Sequence, residues 1–142
     1  MIAGSSRDPM AALNEVLSEV IDVVMALRQA HHRVPEGRDL HAELDLLFAD
    51  ARKWAELLME ADADRGVSAL SYMPTVAGRR PPELWHGPVG DDDVRRVVVG
   101  QLDRLAGHVR AALSEQKDDQ VREPLDRIDA ELQVHLHALN AR

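Results

Sequence analysis

Near the middle of this 142-residue chain, His41, Asp45, Glu56 and Glu60 are spaced four, eleven and four residues apart. On a helix turning about 100° per residue, such positions gather on one side. Leu44, Leu47, Phe48, Ala51, Ala55 and Leu58 gather on the adjoining side. The stripe of imidazole and carboxylate groups therefore borders the face that packing would bury. Acids at a burial margin are costly unless they are paired or hold a cation. His31 closes the apolar stripe of the preceding segment and sets a second imidazole at the edge of a packed surface. Taken singly, each of these residues reads as a cap or a solvated group. Together they make a metal-competent set.

Helical geometry limits how that set can work. Asp45 and Glu56 lie eleven residues apart, about 16 Å along a helix that rises about 1.5 Å per residue. They cannot hold one ion within one chain. Either this helix packs antiparallel against its own copy in a second subunit, or there is no shared site. In the first case His31, His41 and Asp45 of one chain face Glu56 and Glu60 of the other.

The elements that must position these groups read as four long helices. Asp8 and Pro9 are a cap and first position for the first, which carries Leu13, Val16, Leu17, Val20, Ile21, Val24 and Leu27 at helical spacing. Val34-Pro35-Glu36-Gly37-Arg38 stops it. Asp39 caps the second, with Leu40, Leu44, Leu47, Phe48, Ala51, Ala55, Leu58 and Met59 as its apolar positions and Gly66 as its end; Trp54 falls on another side and is assigned only packing. Asp91-Asp92-Asp93 opens the third, which carries Val94, Val97, Val98, Leu102, Leu105, Val109, Ala112 and Leu113. After a polar corner at Lys117-Asp118-Asp119, the fourth carries Val121, Leu125, Ile128, Leu132, Val134, Leu136 and Leu139, with Pro124 tolerated in the first turn.

Residues 66–90, with Pro74, Pro81, Pro82 and Pro88, break the pattern, and Val67–Tyr72 has room for a short helix within them. Two short links and one long one predict two antiparallel hairpins joined by a crossover. That is the all-α arrangement of ferritin-like four-helix bundles. The length predicts one domain, 1–142, with residues 1–9 as a short flexible tail.

Composition narrows the rest. With 45% hydrophobic residues there is enough for a core, and four aromatics (Phe48, Trp54, Tyr72, Trp85) leave aliphatic packing between helices to form it. Cysteine is absent, which excludes disulfides, thiolate metal sites and a cysteine nucleophile. No apolar run approaches a membrane span and no apolar signal core opens the chain, so a cytoplasmic protein is expected. The net charge is −8, with two lysines, Lys53 and Lys117, so binding to DNA is expected to be weak or absent.

At these residues the chain resembles a known family, the mini-ferritins called Dps, DNA-binding proteins from starved cells. Arg28-Gln29-Ala30-His31 is similar to the family's Ala-His-Trp stretch. His41-x3-Asp45-x10-Glu56-x3-Glu60 looks like its His-x3-Asp-x10-Asp-x3-Glu pattern. Val109-Arg110-Ala111-Ala112 and Lys117-Asp118-Asp119 extend the likeness, which covers residues 10–142. It implies a ferritin-like bundle assembled from two-fold dimers into a hollow dodecamer. It also implies ferroxidase activity: Fe(II) oxidised, preferentially by hydrogen peroxide, and Fe(III) mineral stored in the shell as protection against oxidative stress. Carried over by position, His31, His41 and Asp45 would bind iron from one chain and Glu56 and Glu60 from its partner, with no catalytic residue apart from these ligands. A shifted register using Glu60 and Asp64 is the weaker option.

Three departures stand out. The two histidines are ten positions apart here, against twelve in the family. His32 stands where the family has tryptophan. Glu56 stands where it has aspartate. They motivate a second reading, a degenerate Dps-like assembly with little ferroxidase activity. A third, a different metal-dependent bundle using His135 and His137, ranks below both because residues two apart do not share a helix face.

Overall fold

The computed structural model describes residues 9–64 and 90–141. Asp8, Gly66, the tail before Pro9 and the expected short helix at Val67–Tyr72 lie outside them. Among the described residues there are four helices: α1 (Pro9–Arg33), α2 (Asp39–Asp64), α3 (Asp91–Glu115) and α4 (Asp119–Asn140).

Their ends follow from local chemistry. Gly90 is extended, and its carbonyl accepts from Asp93 and Val94 to begin α3, while the three acids that follow face the positive end of the helix dipole. Asp118 caps α4, its carboxylate accepting from the Gln120 amide at 2.9 Å. The Arg122 guanidinium reaches back to the carbonyls of Leu113 and Gln116, which α3 leaves unpaired at its end. Between α1 and α2 the turn is made at Gly37, whose φ of +85° favours a residue without Cβ.

Each helix packs on two neighbours: α1 on α2 and α3, and α4 on α2 and α3. Directions come from the contacts across the seams. Glu19 pairs with His108; Asp50 pairs with His135 and Trp54 with Glu131. The α2–α4 seam, with two contacts in opposite order along the two helices, is therefore antiparallel, and the short link makes α3 and α4 antiparallel as well. It follows that α2 and α3 run in the same direction, as they do in a bundle with a long crossover and not in a simple up-down bundle. Arg38, just before α2, lies 3.0 Å from Asp91 at the start of α3, so both helices begin at one end of the molecule.

The core is aliphatic, as expected. Leu13, Val20, Leu44, Leu58, Val94, Leu102, Leu105, Leu125, Ile128 and Leu132 are among its fully or almost fully buried members. Three expectations need correction. Val134 is 68% exposed, because two residues beyond Leu132 is about 200° around a helix. Trp54 does not sit apart from the apolar face; it is fully buried within the core. Pro124 lies in the second turn of α4, where it has no N–H to give the Gln120 carbonyl. Ile21, Val24, Phe48, Met59, Val97 and Leu113 pack only partly buried against the core.

Candidate metal centre

The α1–α2 hairpin brings His31 and His41 onto one carboxylate. His31, in the last turn of α1, sets Nε2 2.9 Å from Asp45 Oδ1. His41, in the first turn of α2, sets Nε2 3.5 Å from Asp45 Oδ2. The two rings are 4.4 Å apart, centre to centre. A carbonyl only accepts, so the 2.9 Å bond between His41 Nδ1 and the Val34 oxygen puts the proton on Nδ1. That bond turns Nε2 toward Asp45 and fixes a ring that is 9% exposed. His31 and Asp45 keep open sides, with 41% and 52% of their side chains accessible.

One donor atom from each of the three residues falls within 4.8 Å of the others. An ion about 2.1 Å from its ligands holds neighbouring donors about 3.0–3.4 Å apart; the 2.9 and 3.5 Å contacts, made to the two different oxygens of Asp45, lie beside that range. Two imidazole nitrogens and one carboxylate with an open side suit a first-row divalent metal such as Fe(II). Among the described residues this is the only group of three or more such side chains whose donors converge.

Of the five residues expected to bind metal, the chain unites these three. Glu56 and Glu60 are exposed, further along α2; the helix rise keeps them about 16 Å and about 22 Å from Asp45. The side chain of Asp64, needed for the shifted register, lies outside the described structure. His135 and His137 do not act as a pair, since His135 turns to Asp50 at 2.6 Å and His137 is exposed.

The α2–α4 seam holds a polar network that sequence reasoning missed. Trp54 Nε1 donates to Glu131 Oε1 at 3.0 Å, and Arg127 Nε meets Oε2 of the same carboxylate at 3.2 Å. The Trp54 and His135 rings meet edge to face, 6.1 Å apart. A signal was present: Asp50 and Trp54, and likewise Glu131 and His135, are four residues apart and so share one side of their helix.

Among solved structures the chain is similar to Dps92 from Deinococcus radiodurans, with a TM-score of 0.81 and 21% identity over 94% of this chain and 84% of that one. The fold is ferritin-like. It is also similar to a two-domain protein from Anabaena variabilis that contains DJ-1/ThiJ/PfpI-like and ferritin-like domains, with a TM-score of 0.69 and 16% identity over 99% of this chain and 37% of that one. No family model and no curated protein matches the sequence. The likeness of the folds agrees with the four-helix architecture expected from the sequence. No helix among the described residues is long and apolar enough to cross a membrane.

Proposed function

We propose that this chain is an iron-storage and detoxification mini-ferritin, a single-domain ferroxidase whose site is shared between two subunits. The observation that carries the reading is the convergence of His31, His41 and Asp45 in a bundle of ferritin-like fold. Three ligands in one chain leave positions for carboxylates from elsewhere, and α2 carries two on its outward side. In an antiparallel α2 pair whose two-fold axis passes between Asp50 and Ala51, His41 comes level with Glu60 of the partner subunit. The same register sets Asp45 level with Glu56 of the partner subunit, so one axis serves both pairs. Ala42, Ala49 and Leu46, which is 66% exposed, lie on that outward side and supply a small, partly apolar surface for the contact.

In this reading Asp45 and the partner's Glu60 supply the anionic donors for Fe(II). His31 and His41 supply neutral nitrogen, and the partner's Glu56 holds a weaker second iron. Two Fe(II) each give up one electron, hydrogen peroxide takes both with two protons, its O–O bond breaks, and two waters leave. The Fe(III) then hydrolyses, returns protons to solvent and collects on carboxylates inside a hollow dodecamer. The acidic subunit binds DNA weakly or not at all, and the protein works in the cytoplasm.

Light scattering and anaerobic Fe(II) titration test this reading. A dodecamer with saturable iron binding, lost in the H41A/D45A variant, is the expected result. Unchanged iron binding in that variant would sink it. Mixing H41A/D45A subunits with E56A/E60A subunits tests the sharing. A mixed dimer has one fully native and one fully altered site, so activity returns to at most about half. No recovery in verified mixed dimers means the site is not shared.

A further inference from the structure

We propose that the cavity between α1 and α3 binds small zwitterions, the fitting class being free α-amino acids with short, uncharged side chains. The site is separate from the metal centre. Asp22 lies nine residues before His31 on α1, which the helix rise makes about 14 Å.

The cavity has a volume of about 220 Å³ and is lined by Glu19, Asp22 and Val23 of α1 and by Gln101 and Arg104 of α3. Its two walls differ in chemistry. On α1, Glu19 and Asp22 are three residues apart, so two carboxylates share one side of the helix. On α3, Gln101 and Arg104 have the same spacing and bring an amide and a guanidinium. Val23, 2% exposed, is the apolar part of the lining. Glu19 is held in place by His108, whose Nδ1 meets its Oε2. Gln101 and Arg104, by contrast, make no hydrogen bond or ion pair among the described residues. Arg104 thus shares a cavity with two carboxylates and pairs with neither, and its five N–H groups are unspent.

Charges of opposite sign across a gap, not spent on each other, define what fits between them. A simple anion drawn to Arg104 meets two carboxylates, and a simple cation drawn to the carboxylates meets the guanidinium. A molecule bearing both signs satisfies both walls. Its carboxylate accepts two parallel N–H bonds from the Arg104 fork and a further one from the Gln101 amide. Its ammonium donates to Asp22 and to Glu19. The volume is that of about seven waters at about 30 Å³ each, room for an amino acid with a short side chain. With Val23 as the sole apolar lining residue, a long apolar side chain gains little. Binding of this kind makes and breaks no covalent bond.

Saturation-transfer NMR on the full-length assembly, with L-serine and L-alanine as the titrated probes, tests the proposal. The expected result is a saturable signal with a Kd of about 1 mM, as suits a small ligand in an open cavity. R104M keeps the length of the side chain and removes the guanidinium; D22N keeps the shape of the carboxylate and removes its charge. Each, with its fold verified by circular dichroism, should weaken binding about tenfold or more. Acetate and ethylammonium, which carry one sign each, should bind about tenfold more weakly than L-serine. No saturable signal, or R104M and D22N that bind like the unaltered protein, would overturn the proposal. Acetate or ethylammonium binding as tightly as L-serine would overturn the zwitterion class. The H41A/D45A variant should bind both amino acids with unaltered affinity, which keeps this test independent of the iron reading.

Discussion

At the α1–α2 hairpin two imidazoles converge on Asp45, and half of that carboxylate's surface stays open. Five residues further along α2, Asp50 meets one imidazole, His135, at 2.6 Å, and a turn later Trp54 and Arg127 occupy both oxygens of Glu131. The side-chain types are the same, but their bonding capacity is used differently. In the seam, Glu131 accepts on both oxygens from within the chain, so the network clasps α2 to α4 and leaves little for a ligand. At the hairpin, donors converge with an open side remaining, which is the condition for binding something else. Histidine beside carboxylate is therefore no signature of a site; unspent coordination capacity is.

The largest expected effect lies in the seam. Trp54→Ala removes a fully buried indole and should cost about 3–5 kcal/mol of stability, read from urea unfolding. A loss under about 1 kcal/mol would mean the seam is not the clasp described. At the hairpin the main effect should be on binding: H41A/D45A is expected to weaken Fe(II) affinity by about 100-fold or more, with a stability loss of about 1–3 kcal/mol from the Val34 carbonyl left without its partner. Next comes the crossed control. His135→Ala should cost about 1–3 kcal/mol by leaving Asp50 without its partner, and should leave Fe(II) affinity within about twofold. Iron binding that falls with His135 would erase the contrast between the two regions. The smallest effect belongs to Gly37→Ala, about 1 kcal/mol from its positive φ. It should be accompanied by a modest drop in Fe(II) affinity if the turn is what holds the Val34 carbonyl against His41.

Much of the fold was legible because helical periodicity is local. The stripes on α1 and α3, the stop at residues 34–38 and the acids opening α3 each declare themselves within a few turns. The misreadings came from treating a helix face as a list of aliphatic residues. Trp54 lies about 20° from Leu47 on the helical wheel, so it belongs to the buried face, and its indole nitrogen needed a partner that only α4 could bring. Val134 shows the opposite error: an apolar residue 200° from its neighbours on the face is left in water whatever its type. Of the site, His41 and Asp45 were legible together, being four apart on one helix. Their junction with His31 depended on the hairpin closing.

The sequence by itself determined the four helices, the aliphatic core and a donor set fit for a transition metal, because these follow from spacing along one chain. Only the tertiary structure decided which of five candidate donors meet. Side chains ten residues apart across a turn converge through the packing of α1 on α2, whereas those eleven residues apart on one continuous helix are held about 16 Å from each other by its fixed rise.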